Sequence, residues 1–283
     1  MAIKYNMEFY THITIPKTPF TFSYTVQTVL LGSCFAENIG KKLEGNKFKT
    51  DLNPFGTLYN PSSIAEAIRM LLQPEQFTGD DLFQHEGIYH SFSHHSRFSS
   101  PSETECLANI NRRLFSSADT ILKAQRMILT FGTAWVYEHA GEAVANCHRR
   151  PAAEFARRRL SVEEIAETFA ELIEGPLAGK QIILTVSPVR HIGDSLAGNA
   201  VSKATLRLAA EQLTERFKCT AYFPAYEILT DDLRDYRFYA DDLVHPAPQA
   251  VDYVWEKFAP AVLTDEALRL LPELSLIHIS EPT

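Results

Sequence analysis

Two short stretches far apart in the chain carry residue types that could do acyl chemistry. Gly32-Ser33 follows the aliphatic run Thr28-Val29-Leu30-Leu31 and precedes Phe35, Ile39 and Leu43 at helical spacing. A hydroxyl at such a strand-to-helix turn stands at a helix N-terminus, whose free N–H groups favour a developing oxyanion. Taken alone, the pair reads more readily as a glycine turn with Ser33 capping the helix. The second stretch, Asp242-Leu243-Val244-His245, puts a carboxylate and an imidazole three residues apart, ahead of a helix. Asp242 can orient one ring nitrogen while the other faces a nucleophile, the division of labour in a hydrolytic triad. Alone, it fits better an acidic residue at a helix start beside a surface histidine.

Other reactive residue types read more plainly. Cys34 stands at the same helix start, where a thiol pKa can fall, yet a cysteine there more often packs between sheet and helix. His85, His90, His94 and His95 lie in a polar, aperiodic stretch without matching carboxylate spacing, so a substrate-facing loop is expected there and no metal site. His191, just past Ser187-Pro188, is a candidate substrate contact, with an ordinary loop histidine as the alternative. Arg149-Arg150 and Arg157-Arg158-Arg159 are short and flanked by Glu154, Glu163 and Glu164, which suits a solvated, ion-paired face.

The elements that must position these residues alternate. Strands are expected at 28–31, 127–131, 181–186 and 220–229, each run short and apolar. Helices are expected after Ser33 with Gly45 as a left-handed cap, after the Asn60-Pro61 cap, and after the capping boxes at Ser100 and Ser161, where Leu160 and Ile165 can form a staple. Two more carry Leu206, Ala210 and Leu213, and, from about Pro246, Val251, Val254 and Phe258. The stretch 74–101 is expected to be a long loop, and 137–147 a small hairpin around Gly141. Such alternation predicts an α/β three-layer sandwich around a mainly parallel sheet, with ligands bound at the strand C-termini.

The order, a serine after the first strand and Asp-x-x-His before the last helix, resembles the layout of SGNH hydrolases, a flavodoxin-like fold. More specifically, Gly32-Ser33-Cys34-Phe35-Ala36-Glu37-Asn38-Ile39-Gly40 is similar to the signature of the GSCFA family, a bacterial branch related to those hydrolases. Supporting strings are Asn53-Pro54-Phe55-Gly56-Thr57-Leu58-Tyr59-Asn60-Pro61, Gly132-Thr133-Ala134-Trp135, Asn146-Cys147-His148 and Thr185-Val186-Ser187-Pro188; the likeness covers about 8–260. The resemblance implies a catalytic triad of Ser33, His245 and Asp242, with an oxyanion hole from the Ser33 and Gly56 N–H groups. The wider SGNH pattern has asparagine after the third-block glycine, whereas here Thr133 follows Gly132, so Thr133, Asn53 or Asn146 would supply the third donor. It implies cleavage of an oxygen ester, acetyl or another acyl group on a saccharide or other small molecule, with no cofactor. The same triad would also serve an O-acyltransferase, and a non-catalytic ligand-binding module on this scaffold is the reading from another class.

A chain of 283 residues, 45% hydrophobic and 22% charged, has material for one large core. The net charge of -8 argues against a nucleic-acid surface. No apolar run is long enough for a membrane span and no secretory leader is visible, which reads as cytoplasmic; Cys34, Cys106, Cys147 and Cys219 are too scattered for a disulfide framework. A single domain over 1–273, with an insertion at about 74–126, is expected. The tail Leu274 to Thr283 resembles translated sequencing adapter and is set aside.

Overall fold

The computed structural model describes residues 11–280, with side chains through 272. Five parallel strands form the centre: β1 (Thr28–Gly32), β2 (Thr50–Leu52), β3 (Arg126–Phe131), β4 (Gln181–Val186) and β5 (Thr220–Tyr222). Their spatial order is β2-β1-β3-β4-β5. This flavodoxin-like order switches direction between β1 and β3, where a crevice opens beyond the strand ends. Gly32-Ser33 and Gly132-Thr133 lie there.

Helices cover both faces. On one, α2 (Pro61–Leu72), α3 (Glu103–Lys123), α4 (Val162–Glu174) and α5 (Ser195–Arg216) pack against Val29, Leu31, Met127, Leu129 and Phe131. On the other, α1 (Cys34–Gly45), α6 (Pro248–Val262) and the start of α7 (Asp265–Ser280) pack against Leu30, Ile128 and Ile183. Successive strand residues thus feed two separate cores, the reason the strands read as unbroken apolar runs. The tail set aside on sequence grounds falls on the last turns of α7 and on residues outside the described ones. No helix among the described residues is long and apolar enough to cross a membrane.

Several boundaries differ from expectation. At the end of α1, Lys47 takes the left-handed conformation and Gly45 remains helical. Ser102 caps α3 by accepting from Glu105 N–H, while Ser100 instead donates to the Glu105 carboxylate. The expected strand 220–229 stops at Tyr222 because Pro224 cannot continue the ladder; a short helix and a π-helical turn over 225–233 follow. The last helix of the sheet layer starts at Pro248, two residues late. Within 74–101 a two-stranded hairpin pairs Phe83–His85 with Ile88–His90, so this stretch is not a bare loop. α3 itself, inside the stretch expected as an insertion, contributes Leu114 and Ile121 to the core. The hairpin near Gly141 is present and gains a third strand, Ala156–Arg159, which carries the arginine run.

Candidate active site

β1 ends in a turn that only glycine permits. Gly32 has φ +140°, and a Cβ there would meet Thr130 O at 2.2 Å. Ser33 follows as the cap of α1, its Oγ accepting from Phe35 N–H at 3.3 Å, and it is 1% exposed. The segment 53–60 straps this turn from above. Asn53 Oδ1 accepts from Gly32 N–H (2.9 Å), Leu58 N–H donates to Gly32 O (2.9 Å), and Tyr59 O accepts from the Gly132 and Thr133 N–H groups (2.8 and 2.9 Å). Arg97 holds the Asn53 carbonyl, and His95 fills the space over Gly56, where a Cβ would come within 2.2 Å of its own. The string Asn53 to Asn60 is therefore a frame for the serine turn, and Asn60 doubles as the cap of α2.

Asp242 and His245 meet as expected. His245 Nδ1 and Asp242 Oδ2 are 2.6 Å apart, and Asp242 Oδ1 accepts from the Val244 and His245 N–H groups, both at 2.9 Å. These bonds, the His245 N–H first and its ring second, hold the Asp242 carboxyl well below its usual range, at about 2. Leu243 takes φ +59° to close the turn, and Arg190 N–H donates to Val244 O, tying the pair to the loop after β4. Both side chains are about half exposed. Among the described residues no hydrogen bond joins Ser33 to His245.

The expected oxyanion donors are engaged: Ser33 N–H with Thr130 O at 3.2 Å and Gly56 N–H with Asn53 O at 2.8 Å. The Thr133 hydroxyl lies 3.1 Å from Ser202 Oγ and accepts from Trp135 N–H. Asn53 Nδ2, wholly buried, has no partner. Asn146 Oδ1 accepts from His148 N–H, and His191, edge-on to Tyr59, is kept neutral by burial, its pKa pushed down to about 4.

Beside the turn lies a cavity of about 580 Å³. Tyr59, Thr133 and His191 line its sandwich side; Trp135 and Tyr137 come from the three-stranded sheet and Asn146 from the loop after its second strand. Ser33 is not in its lining; Gly132, the neighbour of the lining residue Thr133, packs on it, and a Cβ on Gly132 would sit 3.4 Å from Ser33 Cβ. Arg157 lies over the Trp135 ring at 4.4 Å and pairs with Asp194, and Arg150 pairs with Glu154 at 2.6 Å, so neither arginine in the lining is an unpaired charge. Arg158 pairs with Glu138 and Glu164, consistent with the expected ion-paired face.

The histidine-rich stretch is not a substrate-facing loop throughout. His94 is buried, stacked on Phe55 and hydrogen-bonded to Ser91 Oγ, and burial lowers its pKa to about 3; His90 stacks between Phe83 and His148. Only His95 of the four lines the cavity. No group of three or more histidine, cysteine, aspartate or glutamate side chains among the described residues is arranged to hold a metal ion. Cys34 is half-buried, and that burial pushes its thiol pKa up.

Sequence reasoning missed Lys203, whose Nζ is buried under Gly132 and Ser187. The available signal was a lysine three residues before Leu206, on the apolar stripe of α5. It also missed the cavity walls, whose residues come from segments with no shared pattern.

A family model described as the GSCFA family matches residues 27–258. No curated protein matches. Among solved structures, a chain described as "a putative platelet activating factor from Streptococcus pneumonia" is similar over 87% of this chain and 86% of its own, at 11% identity and a TM-score of 0.38.

Proposed function

We propose, from the premise that this chain belongs to the GSCFA family, that it is a serine hydrolase cleaving an oxygen ester through an acyl-enzyme on Ser33. The observation that carries the reading is the Asp242–His245 pair: a carboxylate with both oxygens engaged, fixing an imidazole whose Nε2 is left for a proton. Ser33 Oγ attacks the ester carbonyl as His245 Nε2 takes its proton, and the tetrahedral adduct collapses as that proton passes to the leaving alcohol. Water, deprotonated by the same nitrogen, then frees the acid. His245 is half exposed and not hydrogen-bonded to Ser33, so on this reading the contact between them forms with substrate bound. Ser33 N–H, whose bond to Thr130 O is longer than that of Gly56 N–H to Asn53 O, is the backbone donor more readily shared with an oxyanion, and Asn53 Nδ2 is the unpartnered side-chain donor at the turn.

The cavity supports the substrate class. Tyr59, Trp135, Tyr137 and Phe155 offer ring faces and edges to a flat alcohol, and the internal pairing of both arginines favours a neutral saccharide over a phosphorylated one. The expected activity is turnover of p-nitrophenyl acetate that falls to background in Ser33→Ala and in His245→Ala, each folded by circular dichroism. Undiminished turnover in Ser33→Ala rejects the assignment. The engaged N–H groups of Ser33 and Gly56 favour a second reading, a ligand-binding module on the same scaffold, which predicts saccharide binding without turnover.

A further inference from the structure

Lys203 is 1% exposed, and among the described residues it pairs with no carboxylate. Its Nζ donates to Gly132 O at 2.6 Å and to Ser187 O at 2.7 Å, the carbonyls just beyond the ends of β3 and β4, and lies 5.9 Å from the Tyr226 ring centre. A buried ammonium held only by neutral oxygens is costly, so a core position of this kind favours an aliphatic side chain unless the charge serves something. Three observations say what it serves. Gly132 packs against Ser33, and the Gly132 and Thr133 N–H groups hold the Tyr59 strap, so the lysine grips the opposite end of the peptide that frames the nucleophile. Cys34, next to Ser33, lies within the field of Lys203, which draws its thiol pKa down against the effect of burial. His191, which lines the cavity, feels the same charge and is pushed further toward neutrality.

We propose that Lys203 is a positioning residue for the Ser33 turn, tying the Gly132 and Ser187 carbonyls into one floor beneath it and placing a positive charge beside the Ser33-Cys34 turn. The positioning half rests on the reading of Ser33 as nucleophile; the charge half does not. Burial brings the Lys203 pKa down to about 7, opposed by the Cys34 thiol, so the charge is full on the acid side of neutrality. The groups that face it are Cys34 from α1, His191 from the loop after β4 and Tyr226 from the helical turn after β5.

The test compares wild type, Lys203→Met and Lys203→Gln by two labels located by peptide mass: a fluorophosphonate on Ser33 and iodoacetamide on Cys34, each followed from pH 6 to 9. In folded Lys203→Met, fluorophosphonate labelling of Ser33 falls at least about tenfold, because small displacements of a reacting group carry penalties of that order. At pH 6, where Lys203 is charged, Cys34 alkylation slows about tenfold as its cationic neighbour is lost, while at pH 9, where Lys203 is already neutral, it is unchanged. Lys203→Gln restores donors without charge, so it recovers part of the Ser33 rate but keeps the slowed Cys34 reaction at pH 6. A lysine that only fills the core would lower melting temperature while leaving Cys34 alkylation at pH 6 where it was. Unchanged Cys34 alkylation at pH 6 together with an unchanged Ser33 rate in a folded variant overturns the proposal. Should wild-type Ser33 fail to label while Cys34 alkylation at pH 6 still slows, the hydrolase reading fails and the charge assignment stands. If neither variant folds, ¹⁵N spectra of the wild type decide: a slowly exchanging Lys203 ammonium at pH 6 is expected, and its absence overturns the proposal.

Discussion

Ser33 serves two masters, since its hydroxyl caps α1 while standing where a nucleophile is needed. Asn53 has the same double character: Oδ1 holds the Gly32 N–H and Nδ2 is unpartnered. Asn53→Asp separates the two, keeping the acceptor and replacing the donor with negative charge. It is expected to lower kcat by about 10²–10³ while leaving KM nearly unchanged; steady-state kinetics on p-nitrophenyl acetate checks this. Asp242, held at about 2, remains ionised through the working pH range, so its stabilising contribution is complete above its ordinary 3.8 and is lost as pH falls through about 2. The acid limb of an activity profile is therefore not set by Asp242. Lys203, also depressed, runs with the same sign in a higher window: the unfolded lysine keeps its proton up to about 10.5 and the folded one only to about 7, so stability rises as pH climbs between them. Melting temperatures at pH 7 and 9.5 should show this rise in wild type and its loss in Lys203→Met. At this scale the Asp242–His245 contact was legible because both partners lie on one short turn. Lys203 was not, because its partners are backbone carbonyls, which leave no mark in a sequence.

Elements were legible where local chemistry decides them. The caps at Asn60 and Ser161 formed as read, and Asn60→Ala should cost about 1 kcal/mol, measured by urea denaturation. Where tertiary partners decide, the reading slipped. The cap of α3 moved to Ser102 because Ser100 was taken by the Glu105 carboxylate, and His90 and His94 entered aromatic stacks while His95 lines the cavity. That stack makes its region acid-labile. His94 at about 3 and His148 at about 4 are both depressed by burial, so the unfolded chain binds more protons between those values and 6.5, and stability falls as pH drops through that window. Thermal melts from pH 7 to 4.5 are expected to fall in wild type and to fall less in His94→Gln.

For the molecule as a whole, the sandwich followed from alternation of apolar strands and striped helices, and its strand order places the crevice where the serine turn lies. The cavity was invisible beforehand because its two walls meet only in three dimensions, one from the strand-end loops and one from the three-stranded sheet, joined by Arg157 and Asp194. If that cavity holds the saccharide, Trp135→Ala should raise KM for an acetylated sugar by about tenfold, the worth of one aromatic contact, with little change for p-nitrophenyl acetate. Kinetics on the two substrates side by side reads the difference.

The most direct test of Ser33 as an acyl-forming nucleophile is intact-mass and peptide mapping of the folded protein after a fluorophosphonate. One adduct, on Ser33, absent in Ser33→Ala and slowed in His245→Ala, is the predicted result; a folded protein that stays unlabelled, or carries its adduct on another residue, would contradict it.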